Sequence, residues 1–393
     1  MDPSNTELHA APGRTIATDP ATAMQLYDTA RRAVVPFLPA DTVSMYTCGI
    51  TPYDATHLGH AATFMTYDIL QRRLRDRGHD TRCVRNVTDV DDPLLAKARE
   101  LGIHYLDLAA REVKRLEEDL EAMHFLPVHS APRATSAIAE IRKVVSQLID
   151  AGHAYVAEGA VFFDIGSYPA FGSLFNLGEE RMLAFAAERG GNPDDPRKRH
   201  QLDFVLWQAS VDDEPAWESL WGPGRPGWHI ECTALAQREL GDTLDLHGGG
   251  GDLIFPHHEC SAAQSVCLTG KPLARHWLHG ALVWKDGAKM SKSLGNLVFI
   301  SDLRQQFDPR AIRLMILANH YRFDWSWSDE GMATAVGRLE RWTEAGDGDG
   351  GLDEVRAALD DDLDTPAALA AIDRAVAAGH GVSRSAALLG VDC

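Results

Sequence analysis

Residues 45–87, MYTCGITPYDATHLGHAATFMTYDILQRRLRDRGHDTRCVRNV, decide the fold. MYTCGI (45–50) has the make-up of a short buried strand, and the TPYD turn follows it. Phe64, Tyr67, Leu70 and Leu74 then recur near helical spacing, which predicts a helix over 60–77. Gly78 stops that helix, and TRCVRNV (81–87) is β-rich again. Strand, helix and strand in this order predict one right-handed crossover, the seed of a parallel sheet.

The chain around this unit has 393 residues, enough for two or three packed domains. With 45% hydrophobic and 24% charged residues it has a globular composition. No apolar run approaches the length of a bilayer span. The first twenty residues lack the apolar stretch of a secretory signal, so a flexible leader and a cytoplasmic location are expected. A formal charge of −19 argues against broad, nonspecific nucleic-acid binding without excluding a local basic groove. Six scattered cysteines do not make a disulfide scaffold; free thiols or metal ligands are expected.

Val113, Leu116, Leu120 and Met123 share one helical face, as do Ile138, Ile141, Val144, Val145 and Leu148. Between about 151 and 225 the style changes to short β runs (AYV, AVFFDI) and polar loops carrying ERGGNPDDPRKR, as if inserted between two halves of a sheet. GPGRPGWHIECTALAQREL and FPHHECSAAQSV each run from loop into helix, with a strand expected at TLDLHGGG between them. A hairpin at HGALVWKDG leads to KMSKSLGN. The remainder is helical by pattern, with AGDGDGG (345–351) as the linker candidate and no internal repeat.

In a sheet of this kind ligands gather where loops leave the carboxyl ends of strands. HLGH, His57 to His60, lies at such a junction. Glycine permits close approach to the backbone, and two imidazoles at a helix start can donate to phosphate oxygens. Taken alone, the pair is a local cap. KMSKS (289–293) sets Lys289 and Lys292 on a small hinge, a mobile clamp for a leaving pyrophosphate or, taken alone, a solvated basic loop. Cys48, Cys232 and His257 each follow a loop at the same expected sheet edge. Lone cysteines are mostly small buried hydrophobes. Together, two thiolates and an imidazole suit zinc and leave one tetrahedral position open, which a substrate thiolate fills better than a hydroxyl.

HLGH followed by KMSKS is the paired signature of class I aminoacyl-tRNA synthetases, which the chain resembles. CGITPYDATHLGHA, NVTDVDD, GWHIEC, GGGGDLIFPHHE and KMSKSLGN are similar, in order and spacing, to cysteinyl-tRNA synthetases over most of residues 40–330. That resemblance implies zinc on Cys48, Cys232 and His257. Where those synthetases carry a fourth, glutamate ligand this chain has Ser261, and Cys260 ranks below an open site. GITPYDATHLGHAAT, PGRPGWHIEC, DDLDTP and ERGGNP (188–193) resemble a neighbouring family, the cysteine ligases of mycothiol synthesis. Asn192 stands where that family has aspartate.

The resemblance implies an α/β fold, a class I synthetase Rossmann-like parallel sheet with an inserted connective domain and a short C-terminal helical domain. The expected segments are 1–40, leader and N-terminal extension; 41–130, first half of the catalytic domain; 131–225, connective insertion; 226–285, second half; 286–345, KMSKS loop and stem-contact-like region; and 346–393, C-terminal helices. It further implies ATP, entering with Mg2+, L-cysteine and glucosaminyl-inositol as substrates, without tRNA or membrane, in a monomer. A shortened cysteinyl-tRNA synthetase is the alternative. His57, His60, Lys289 and Lys292 are the expected catalytic residues. Cys48, Gly49, Ile50, Thr51, Thr63, Asn86, Val87, Thr88, Trp228, Gly250, Gly251, Asp252 and Val283 are expected around the adenylate.

Overall fold

The computed structural model describes residues 23–211, 213–290 and 295–393. Lys292 and the expected leader, the first twenty residues, lie outside the described residues. The chain enters through an antiparallel hairpin, β1 (Met24–Asp28) and β2 (Ala33–Phe37), which the sequence reading did not anticipate. The deciding unit follows as β3 (Thr42–Ile50), α1 (Leu58–Asp76) and β4 (Asp80–Val87), and β3 pairs parallel to β4. Gly78, at φ +97°, makes the reversal after α1 that a side chain would resist.

Helices α2 (Asp92–Leu101), α3 (Tyr105–Ala122) and α4 (Ile138–Asp150) come next, the last burying the five apolar residues of its predicted face. A separate antiparallel sheet follows, in the order β5 (Ala154–Ala157), β6 (Ala160–Phe163), β7 (Phe204–Ala209) and β8 (Gly224–Pro226). Helix α5 (Glu179–Glu188) lies between β6 and β7. The chain returns through α6 (Trp228–Leu240), β9 (Leu246–Gly250), α7 (Glu259–Thr269) and β10 (Trp277–Gly280). The resulting four-stranded sheet has the order β10-β9-β3-β4, parallel throughout, as the Rossmann-like expectation requires. β9 reads LHGGG because its backbone is crowded: a Cβ at Gly248 would stand 2.2 Å from the Tyr67 hydroxyl and 2.3 Å from the Leu278 carbonyl.

Beyond the sheet, β11 (Val283–Lys285) and β12 (Ala288–Lys289) form the expected hairpin, with β13 (Trp325–Ser326) parallel to β11. Helices α8 (Ile300–Leu303), α9 (Pro309–Leu317), α10 (Asp329–Ala345), α11 (Leu352–Asp360), α12 (Thr365–Ala377) and α13 (Ser383–Leu388) complete the chain. Asp364, within DDLDTP, caps α12 by accepting from Ala367 N.

Two cores flank the parallel sheet. One joins β1, α1 and β3 to the apolar faces of the C-terminal helices without a break. The other packs α4, α6 and α7 with β6 and β7. Within the first core Arg313 of α9 is fully buried. It donates to the Asp68 carboxylate of α1, to Met123 O at 3.0 Å and to Leu389 O at 2.5 Å. No helix among the described residues is long and apolar enough to cross a membrane.

Candidate active site and metal centre

The carboxyl ends of β3, β4 and β9 open into a cavity of about 540 Å3. The β3–β4 register is broken between Thr47 and Ile50, so Cys48 and Gly49 leave the regular ladder where the cavity begins. Such an irregularity re-aims side chains without ending the strand. Cys48, Gly49, Ile50 and Thr51 line the cavity from β3, His57, His60 and Thr63 from the start of α1, and Asn86 and Thr88 from the end of β4. Trp228, Cys232, Asp252, His257, Val283 and Lys289 close it from the other half of the sheet. Among the described residues, three expected ones do not line it. Val87 is buried in the sheet, Gly251 lies beyond the wall, and Gly250 lies beneath the Asp252 carboxylate, which a Cβ there would meet at 2.7 Å.

Gly49 is a site of close approach. Its N–H donates to Asn86 Oδ1 at 2.9 Å, and a Cβ on it would stand 1.7 Å from Asn86 O. Gly49→Ala must therefore part the ends of β3 and β4. We expect a loss of about 1–3 kcal/mol in denaturant unfolding, the usual range for overpacking. A midpoint equal to wild type would show that the strand ends separate freely.

His57 is both cap and cavity residue: its Nδ1 accepts from Gly59 N at 3.1 Å. The His57 and His60 rings stack with centroids 3.7 Å apart, which places both imidazoles at one helix start. Across the cavity Lys289 Nζ lies 3.3 Å from Asp252 Oδ2. Both flanks of the lysine loop are anchored. Met290 N donates to Val283 O at 3.1 Å, and farther along Leu58 N donates to Val298 O at 2.8 Å and Ile300 N to Thr56 O at 3.0 Å.

At the cavity floor Cys48, Cys232 and His257 bring their donor atoms within 4.8 Å of one another, all buried. The two sulfurs are 3.8 Å apart. Hydrogen bonding from Cys48 and the nearby His257 hold the Cys232 thiol well below its usual pKa, whereas burial pushes Cys48 up. His257 Nδ1 lies 3.0 Å from His229 Nδ1, while its Nε2 has no partner among the described residues. One tautomer fits both facts: Nδ1–H donates to His229 and leaves the Nε2 lone pair for a ligand bond. Two soft sulfurs and one oriented imidazole, fully buried, fit a zinc-like cation.

The Ser261 hydroxyl donates to His257 O at 2.8 Å, and a neutral hydroxyl is not among the usual zinc donors. Cys260 is buried, its thiol pushed well up by burial, and it joins no donor cluster among the described residues. The sequence reading missed the histidines around this floor. His258 Nε2 lies 3.2 Å from Cys48 Sγ, and its Nδ1 lies 2.6 Å from His279 Nε2. Cys48, His247 and His258 form a second group of donors within 4.8 Å. Burial holds both His247 and His258 well below the usual imidazole pKa. His247 and His279 come from β9 and β10 and meet His258 only once the parallel sheet has formed, so no spacing could announce them.

A parallel sheet of this order, with its first helix starting at paired histidines, has the architecture of the class I synthetases. Residues 35–337 match the family described as tRNA synthetases class I (C) catalytic domain. The chain belongs to that family and, within it, to the L-cysteine:1D-myo-inositol 2-amino-2-deoxy-alpha-D-glucopyranoside ligases. It is 47% identical over 367 residues to the ligase of that name from Streptosporangium roseum, covering 91% of this chain and 90% of the relative. It is 49% identical over 363 residues to that of Gordonia bronchialis, covering 89% and 88%. Among solved structures, the Mycobacterium tuberculosis methionyl-tRNA synthetase in complex with methionyl-adenylate shares the fold, with TM-score 0.64, 18% identity and coverage of 86% and 82%.

Proposed function

We propose that the protein joins L-cysteine to the amine of glucosaminyl-inositol at the expense of ATP, through a cysteinyl adenylate. The observation that carries this reading is the Cys48–Cys232–His257 floor at the base of a cavity that His57, His60 and Lys289 also line. Zinc on the three donors would supply a soft Lewis-acid position for a thiolate, which distinguishes cysteine from serine more sharply than an apolar pocket can.

The chain's own residues perform the remaining work. The first half-reaction is attack of the cysteine carboxylate on the α-phosphorus of ATP, entering with Mg2+. His57 and His60 donate to the oxygens on which charge builds, while Lys289, together with Lys292, stabilises departing pyrophosphate. Asp252 is suited to accept from nucleotide hydroxyls, and its Oδ2 lies 3.3 Å from Lys289 Nζ. In the second half-reaction the free amine of the sugar attacks the adenylate carbonyl. An amide forms, the carbonyl–phosphate oxygen bond breaks, and AMP leaves. Gly49, Ile50, Thr51, Thr63, Asn86, Thr88, Trp228 and the backbone at Val283 enclose the adenylate on this reading, with residues 131–225 as a connective insertion and the chain working as a cytoplasmic monomer.

Cysteine-dependent ATP–pyrophosphate exchange tests the first half-reaction. AMP release on adding glucosaminyl-inositol tests the second. We expect exchange without acceptor and AMP release with the sugar alone; release only with tRNA would overturn the choice of acceptor in favour of a shortened cysteinyl-tRNA synthetase.

A further inference from the structure

ERGGNP, residues 188–193, has so far had no role in the site. Helix α5 ends at Glu188, and Gly191 N donates back to Ala186 O at 2.8 Å. Gly190 sits at φ +81°, and a Cβ at Gly191 would stand 2.9 Å from Ala186 O. The two glycines thus reverse the chain tightly over its own helix end. Arg189, just before the reversal, is directed across the Phe185 ring, with its guanidinium carbon 4.7 Å from the centroid. Its Nη1 donates to Asp252 O at 2.6 Å and to Phe255 O.

Both acceptors belong to the turn that joins β9 to α7. Phe255 is extended there, at φ −140° and ψ 138°, between helical neighbours. At one end of the turn is Asp252, whose carboxylate meets Lys289; two residues past the other tethered carbonyl is His257 of the donor cluster. The Phe255 side chain is buried with Met182 and Ala186 of α5, so packing and hydrogen bonding hold the same turn from the same helix.

We propose that Arg189 is a positioning residue: by tethering the Asp252 and Phe255 carbonyls it fixes the Asp252 carboxylate relative to the His257 imidazole. Helix α5 thereby sets the register between the nucleotide half and the cysteine half of the cavity. This rests on the cysteine-activation reading above. Arginine suits the task because the two protons of its Nη1 serve both carbonyls while the planar, always-charged guanidinium stacks on the Phe185 ring; lysine has no plane to stack. Arg189 itself is not among the residues that line the cavity.

The test compares Arg189→Ala and Arg189→Lys with wild type, as zinc-loaded full-length chains, in cysteine-dependent ATP–pyrophosphate exchange. The same proteins are then loaded with Co2+ for absorption spectra. A misplacement of about 1 Å can cost roughly 100-fold, so we expect kcat/KM for ATP to fall about 10–100-fold in Arg189→Ala. Arg189→Lys should recover part of that loss, and the ligand-field bands of Co2+ should shift in Arg189→Ala as His257 moves. Wild-type kinetics together with a wild-type Co2+ spectrum in Arg189→Ala would overturn the proposal. So would a loss that follows only the unfolded fraction, with KM unchanged in the folded remainder. If Arg189→Ala does not fold, wild-type kinetics in Arg189→Lys overturn it. Absence of exchange in wild type would sink the activation reading instead, and the Co2+ spectra would still decide the role of Arg189.

Discussion

Cys232→Ser is expected to lose bound zinc and cysteine activation together. Loss of an outer partner of a metal ligand typically costs about 10–100-fold in affinity or activity, so loss of a ligand should cost at least about 100-fold. The geometry makes the effect specific. Serine keeps the shape of the side chain but replaces a sulfur already held well below its usual pKa by a hydroxyl that does not ionise near neutrality. Cys48 cannot compensate, since burial pushes its thiol the other way and its sulfur lies 3.8 Å from the lost one. Elemental analysis and pyrophosphate exchange on one preparation check both losses. Full zinc with normal exchange would remove Cys232 from the site.

Asp68→Asn should be the most damaging change far from the cavity. Asp68 is buried, accepts from Leu126 N at 2.7 Å and Arg72 Nε at 2.9 Å, and also receives Arg313. Neutralising it strands two guanidinium groups in the core, a break that typically costs about 3–5 kcal/mol. Burial alone would raise the Asp68 pKa; Arg313 and Arg72 outweigh it and bring the carboxyl down to about 2. A depressed carboxylate stabilises the fold above its unfolded pKa and loses that contribution as pH falls through the folded one. Wild type should therefore lose roughly 2–3 kcal/mol from this group between about pH 4 and pH 2. Urea unfolding across that window should show a flatter pH dependence in the variant than in wild type. Parallel slopes would mean that Asp68 does not carry the effect.

How much of this was legible in the sequence depended on whether the signal was local. The β3–α1–β4 unit could be read because Phe64, Tyr67, Leu70 and Leu74 declare a helix within one window and Gly78 ends it. The α4 face and the helix start at Asp364 were readable for the same reason. The β1–β2 hairpin was not, since AVVPF carries a proline and leaves most of one strand exposed. At the site, His57, His60 and Lys289 sit in contiguous motifs, whereas His247, His258 and His279 meet through strand pairing and helix docking. Gly250 and Gly251 were read as lining residues, but the first serves the packing beneath Asp252. In ERGGNP the part played by Arg189 could not be read, because the carbonyls that it donates to lie more than sixty residues downstream.

The guanidinium of Arg313 also touches the chain's last turn. Gly390, at φ +73°, leaves no space for a Cβ, which would come within 2.5 Å of Arg313 Cζ, and Leu389 O accepts from the same group. Residues 389–390 are thus a keystone seated from outside into an arch whose other stones are α1 and α9. A change that displaced Leu389 would take an acceptor from the buried guanidinium that also holds Asp68, so its cost would fall on the packing of α1 against α9.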